Sequence, residues 1–361
     1  MIISRGNRYI ALNWPAAKTG RGMPNQPDDP NVFRNAKPGE PVVWGTYKEA
    51  FELFGQGDHR PTPWDSFRSS VTPCAEAAEG AKVMVMANKG GTLIDGANEA
   101  FSFPLIDQNR HYACTEVRFN KAQYNFVRGL DDNPKSWLYL AKNLARAQPI
   151  AMPASRAPKT VGSIMLKATW RKMTVGDDQN RYYVVDAWIV DADSSQPKCV
   201  QAKMGLVGLH IVQKLDDFAQ WIWSSFEQVD NVARGLGATA STPISFKNGT
   251  DNPKTVDGWA NRPIAKVPPL LPYDERIPVQ VTRYNPIPAT PEGRSTQDLN
   301  KVYQKLLAGT VWAHYQLVIT QWPSTPVPQD QFITIEQGGV YPADAGGAFP
   351  QTGCTNTALE T

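Results

Sequence analysis

The chain has 361 residues, of which 41% are hydrophobic and 20% charged, so we expect a packed core and exclude wholesale disorder. The net charge is +3, from 37 basic and 34 acidic residues without a basic run, which argues against nucleic acid as a partner. No apolar stretch is long enough for a membrane span, and the first residues lack the apolar segment of a signal peptide.

Residues 1–80 predict a loop-rich N-terminal arm packed on the body of the protein, because prolines interrupt the stretch throughout. One short helix is expected at residues 46–54, where apolar side chains fall on one face. We expect the indoles of Trp14, Trp44 and Trp64 to attach this arm to the body.

Residues 81–322 predict the core of the protein. Strands are expected at residues 83–86 and 112–119, and two helices within residues 120–147. The most regular pattern is an alternation of apolar and polar side chains, which predicts four further strands joined by short turns, at residues 163–171, 181–190, 199–214 and 220–227. We therefore expect an antiparallel meander in this part of the chain.

An irregular, proline-rich stretch follows the meander and ends at a helix signal. Ser295 is a candidate N-cap with Asp298 three residues later, and Leu299, Val302, Tyr303 and Leu306 form the apolar stripe of an amphipathic helix. A strand is expected at residues 311–322, and residues 323–361 predict an extended C-terminal tail. The predicted class is α+β, mainly antiparallel β, with a sandwich-like core and a few peripheral helices.

The four cysteines are too far apart for a zinc knuckle or a C-x-x-C-H haem site. They are Cys74, Cys114, Cys199 and Cys354, and an even number permits two disulfides with three alternative pairings. Four unpaired thiols are the alternative, since the redox state of the compartment decides between the two.

The candidate catalytic residues are His210, Glu227 and Asp230. A histidine within a strand could serve as a base, and carboxylates where the next strand ends could act as its acid or base partners. The alternative is a structural histidine bonded within the core, followed by acidic residues that form a turn. Gly205 and Gly208 precede His210, and glycines within a strand favour a bulge or a close backbone approach over a nucleotide-binding loop.

The candidate ligand-binding residues are Trp221, Trp223 and Asn231. Strand side chains repeat every two residues, so both indoles project from one face and could stack on a sugar ring or another flat molecule. The alternative is that they line the core. No spacing typical of a metal site connects the four histidines, so no metal is predicted.

Several segments resemble a group of poorly characterised bacterial proteins labelled "cytochrome c family", with similarity over most of the chain. The segments are Tyr9–Ala16 with Val43–Glu49, Pro104–Asn109, and Gly205–His210 running into Gln220–Asn231. In that group a segment like Asn356–Thr361 precedes a C-x-x-C-H motif, which this sequence lacks. The resemblance implies either a chain that stops before a haem-binding tail or a haem-free branch, and it supplies no catalytic residues.

Three functions are thus expected. The first is a redox-associated or electron-transfer accessory protein, periplasmic or secreted, with no cofactor in this chain and haem c only if a C-terminal segment is missing. The second is an aromatic-platform module that binds a small molecule, and the third is a hydrolase that uses His210 with Glu227 or Asp230. The partner is a small molecule or a redox protein, and the cytoplasm is the alternative compartment.

Overall fold

A computed structural model describes most of the predicted core and parts of both ends. The described residues are 2–5, 8–11, 16, 20–23, 40–54, 62–66, 74, 76–77, 81–84, 105–128, 152–156, 160–191, 198–216, 221–248, 278–283, 285–321 and 356–359. The predicted second helix within residues 120–147 and most of the predicted tail lie outside them.

The described residues form ten strands and three α-helices. The strands are β1 Ile2–Arg5, β2 Arg8–Ala11, β3 Lys48–Glu49, β4 Val83–Met84, β5 Cys114–Phe119, β6 Ile164–Lys172, β7 Val184–Asp191, β8 Lys198–Lys214, β9 Trp221–Gln228 and β10 Tyr315–Gln321. The helices are α1 Ala50–Phe54, α2 Lys121–Arg128 and α3 Thr296–Leu306. None of these helices combines the length and the apolar character needed to cross a bilayer.

Eight of the strands form one sheet, and β1 pairs with β2 in a separate hairpin. The sheet order is β10-β9-β8-β6-β5-β3, with β7 paired to β8 and β4 paired to β7. All pairings are antiparallel except that of β4 with β7. The predicted mainly antiparallel α+β class is confirmed.

The strand β8 is the centre of the sheet. Its first part pairs with β7, from Lys198 to Gly205, and its second part pairs with β6 and β9. In the described residues β6 and β7 are therefore both partners of β8, whereas the predicted meander joined them to each other. β6 pairs along one edge of β8, and the 17 residues of β8 are long enough to pair with β7 and then β9 along the other edge.

One face of the sheet, the first face, carries an aromatic cluster. The rings of Trp44, Trp170, Tyr183 and Trp312 are buried, and consecutive centroids lie 6.0 Å, 5.9 Å and 5.1 Å apart along that order. Trp44 belongs to the predicted arm, so the indole does attach the arm to the body as expected. The division into residues 1–80, 81–322 and 323–361 itself stays a prediction.

The opposite face, the second face, is covered by extended segments instead of a second sheet in the described part of the chain. Ile106, Phe246, Val279 and Ala358 pack there in one buried cluster that also contains Val207. Val207 is the extra residue of a bulge in β8, because Thr169 of β6 pairs with Gly208 and the next residue, Trp170, pairs with Leu206. The predicted bulge in this glycine-containing strand is confirmed.

Helix α3 lies along the outer edge of β10, the last strand of the sheet. The Asn300 amide accepts from Leu317 N at 2.7 Å and donates to Leu317 O at 2.8 Å, so it replaces a neighbouring strand at this point. Ser295 and Asp298 form the predicted capping box at the start of the helix. Polar side chains of α3 thus cover an edge that would otherwise offer free backbone groups.

A disulfide joins Cys74 to Cys199 at the start of β8. It connects two residues 125 positions apart. Cys74 is buried in a small cluster with Val83, and the half-buried Cys199 and Trp188 pack against this cluster. Cys114 is free and buried in β5, where burial raises the pKa of its thiol to about 12. The observed state matches neither expected alternative, two disulfides or four unpaired thiols, because the described residues have one disulfide and one free thiol. Cys354 lies outside the described residues.

The disulfide predicts a redox-dependent stability. Replacing both cysteines, Cys74→Ala with Cys199→Ala, should lower the free energy of unfolding by about 2–5 kcal/mol, because the unfolded chain loses the constraint of a long loop. Urea denaturation of the wild-type protein in dithiothreitol should give the same loss. The double variant is the control, since its transition should not respond to the reductant; a wild-type midpoint unchanged by reduction would contradict the prediction.

Candidate functional site

The candidate residues of β8 and β9 come together on the second face of the sheet. His210 lies directly opposite Ser225, Gly208 opposite Glu227, and Val212 opposite Trp223. Opposite residues of an antiparallel pair share a face, so the imidazole, the Glu227 carboxyl group and the Trp223 indole all project to one side. The period of two predicted that Trp221 and Trp223 share a face; the register of β8 with β9 adds His210 and Glu227 to it.

His210 is a buried, uncharged histidine. Its Nδ1 atom lies 2.7 Å from Ser225 Oγ, and its ring meets the Trp223 indole edge-on with centroids 5.9 Å apart. Burial and, second, the charge of Lys167 lower the pKa of His210 to about 3. At neutral pH the ring is therefore a hydrogen-bonding group of the interior and carries no proton to donate as a cation.

Glu227 is buried and bonded on both carboxylate oxygens. Oε1 accepts from Arg283 and, at 2.9 Å, from Gln316 Nε2. Oε2 accepts from Thr357 N at 3.2 Å and from Thr357 Oγ1 at 2.8 Å. This set of donors satisfies both carboxylate oxygens and connects β9 to β10 and to the C-terminal segment.

Asp230 is equally buried but lies in a separate group, beyond the end of β9. Arg181 binds it with two hydrogen bonds, from Nε at 2.7 Å and from Nη2 at 3.0 Å. Gly235 N donates to the same carboxylate at 2.8 Å. Neither Asp230 nor Glu227 is hydrogen-bonded to the His210 ring, so the three predicted catalytic groups do not form one bonded triad; their catalytic role stays a prediction.

The three predicted ligand-binding residues differ in exposure. Trp221 and Trp223 are half-buried, whereas Asn231 is completely buried. Asn231 Nδ2 donates to Val207 O at 2.8 Å and to Thr357 Oγ1 at 3.3 Å. Asn231 therefore belongs to the framework that holds the C-terminal segment. Among the three predicted ligand-binding residues, only the two indoles are partly accessible to solvent.

The segment Asn356–Leu359, which we call the anchored segment, lies in a notch at Gly208. A Cβ atom on Gly208 would come within 3.0 Å of Ala358 Cβ and 3.1 Å of Asn356 Oδ1. All four residues of the segment are buried, and Asn356 Nδ2 donates to Phe226 O at 2.6 Å. The predicted close backbone approach at a strand glycine is confirmed, since only the missing side chain leaves room for this segment.

Sequence reasoning missed the partners of the candidate residues. Ser225 could have been found, because it falls between Trp223 and Glu227 in the same period of two. No local sequence pattern predicts the roles of Arg181, Arg283 and Thr357, because each contacts its carboxylate only when the chain has folded.

A second buried polar group lies at the other edge of the sheet. Glu52 accepts from Arg21 Nη2 at 2.6 Å and from Lys48 Nζ at 3.0 Å. Both cations also donate to Ser66 O, at 2.5 Å and 2.7 Å. These contacts link the described parts of the N-terminal arm to β3, and they account for the buried cations as structural ties.

No cluster of three or more His, Cys, Asp or Glu side chains suited to a metal ion occurs among the described residues. Comparison with known protein families, curated protein sequences and solved structures finds no match to this chain.

The buried imidazole predicts an acid-dependent loss of stability. The pKa of His210 is about 3 in the folded protein, and 6.5 is the ordinary value expected in the unfolded chain. As the pH falls, the unfolded chain therefore binds the proton at a higher pH than the folded protein does. Its contribution to stability is complete above pH 6.5 and decreases as the pH falls from 6.5 towards 3. Between pH 6.5 and about pH 5 the loss should be about 2 kcal/mol.

Urea denaturation at a series of pH values checks this expectation. In the His210→Asn variant the free energy of unfolding should decrease less steeply over the same interval, by about the amount assigned to the histidine. Carboxyl groups that titrate in both proteins contribute equally to both curves, so their contribution cancels in the difference. Parallel curves for the wild-type protein and the variant would show that His210 is not the group responsible.

Proposed function

We propose that this chain is the body of an extracytoplasmic, redox-associated accessory protein, in which the second face of the sheet anchors the segment Asn356–Leu359. The observation that carries the proposal is the convergence of the segments that resemble the "cytochrome c family" group. Gly208, Phe226, Glu227 and Asn231 come from one such segment, and they bind Asn356 and Thr357 of another.

The disulfide supports the proposed compartment. A Cys74–Cys199 bond that closes a long loop is typical of proteins that fold in the periplasm or outside the cell, because the cytoplasm keeps thiols reduced. The anchor supports the proposed role, since Asn356–Leu359 is buried and bonded at one fixed place on the sheet.

The described residues do not fit a covalently attached haem. Haem c needs two thiols and a histidine in one short motif, whereas Cys74 and Cys199 are joined to each other and Cys114 is alone in the interior. In this proposal a haem would be held by sequence outside this chain, and the role of this chain is to position and shield that sequence.

The test is the absorption spectrum of the native gene product, purified from a host that attaches haem c. We expect a haem spectrum after alkaline pyridine treatment, and a Gly208→Val variant with a shifted midpoint potential, because the new side chain displaces the anchored segment. Gly176→Val is the matched control, since a Cβ atom on Gly176 meets no atom within 4 Å. A colourless native protein, or equal potentials in both variants, would contradict the proposal.

A second candidate is an aromatic platform for a sugar or another flat molecule, and the half-burial of Trp221 and Trp223 favours it. Both indoles lie on the same side of β9, where each pairs with a residue of β8. A nucleobase stacked on an aromatic side chain is worth about 1–3 kcal/mol, and we expect a similar value for a ring on this platform, so Trp223→Ala should weaken binding about 5- to 150-fold.

Calorimetric titration with soluble oligosaccharides measures this effect on the platform. Trp312→Phe serves as the control, because Trp312 lies in the aromatic cluster of the first face. The platform is ruled out if the wild-type protein binds no such ligand, or if Trp223→Ala and the control bind it equally.

A further inference from the structure

Helix α3 turns polar side chains towards the sheet and apolar side chains towards the solvent. Its inward side chains are amides: Asn300 bonds to both backbone groups of Leu317, Gln304 donates to Tyr315 O at 3.4 Å, and Gln297 donates to Ile287 O at 3.0 Å. A surface helix ordinarily turns its apolar stripe towards the core and its polar side chains towards water. The backbone edge of β10 accounts for the inward amides but not for an outward apolar stripe.

The outward side of α3 carries the apolar stripe predicted from the sequence. Leu299, Val302, Tyr303 and Leu306 are 46%, 54%, 55% and 53% exposed. The spacing places them on one continuous strip, about 11 Å long from Leu299 to Leu306, along a helix of 11 residues. A contiguous exposed apolar strip on an ordered, capped helix is typical of an interaction surface.

We propose that this strip binds the same strip of a second copy of the chain, with the two α3 helices antiparallel about a two-fold axis. The pattern of the strip maps onto itself under this symmetry: Leu299 faces Leu306 of the second copy, and Val302 faces Tyr303 of the second copy. Such self-complementarity is what a two-fold interface requires, because one surface must serve both partners.

Charge supports the antiparallel direction. Asp298 lies in the first turn of α3 and Lys305 in the last turn. In an antiparallel pair the acidic end of one helix lies beside the basic end of the other, and the helix dipoles are opposed. A parallel pair would bring the two Asp298 residues together and the two Lys305 residues together, which is unfavourable.

The interface is small, so the dimer should be weak and depend on protein concentration. Analytical ultracentrifugation of the full chain between about 1 µM and 500 µM, a range that covers micromolar dissociation constants, should show a monomer–dimer equilibrium. Val302→Lys should abolish the dimer without changing the unfolding transition, because the position is exposed in the monomer. Val175→Lys is the matched control, since Val175 is a fully exposed valine remote in sequence from α3, and this variant should dimerise like the wild type.

Cross-linking checks the predicted geometry. Val302→Cys lies next to the two-fold axis and should form an intermolecular disulfide rapidly when oxidised with copper phenanthroline, whereas Val175→Cys should not. A wild-type protein that stays monomeric over the whole range would overturn the proposal, as would a dimer that persists in Val302→Lys. Binding of the monomer to anionic vesicles, lost in Val302→Lys, would likewise overturn it in favour of a lipid surface.

Discussion

The backbone pairing of β8 is the constraint on which the rest of the structure depends. This strand bonds to β6 along one edge and to β7 and then β9 along the other, so its register fixes which side chains of three neighbours share a face. The bulge at Val207 and the missing side chain of Gly208 occur where the partner along the second edge changes from β7 to β9. A shift of β8 by one residue would therefore bury a different set of groups and remove the notch that holds the C-terminal segment.

The buried carboxylates on the second face are each paired with an arginine. Arg171 binds Asp107 and Asp177, Arg181 binds Asp230, and Arg283 binds Glu227. Removing one partner from such a pair leaves an uncompensated charge in the interior, which is strongly unfavourable. The site is thus organised as a framework of fixed contacts, which suits the positioning of a segment better than the movement of protons by a cationic histidine.

The two ends of the sheet are protected in different ways. At β3, buried cations and Glu52 tie the arm to the edge strand; at β10, the amides of α3 bond to the exposed backbone. Both solutions block pairing with a further strand. Because amides occupy the inward side of α3, its apolar side chains lie on the surface. Edge protection and the proposed dimer therefore have the same structural origin.

The sequence by itself determined the elements whose signals are local. The alternation of side chains gave β6, β8 and β9, and the Ser295–Asp298 pair gave the start of α3, because these patterns depend only on neighbours a few residues away. The period of two also placed Trp221 and Trp223 on one face, whereas the register of β8 with β9 placed His210 and Glu227 on that same face. The tertiary structure alone decided that β6 joins β8 and not β7, that Cys74 bonds to Cys199, and that arginines far along the chain pair with Glu227 and Asp230. Those contacts join residues tens of positions apart, and their free energy arises only when the chain has folded and excluded water around them.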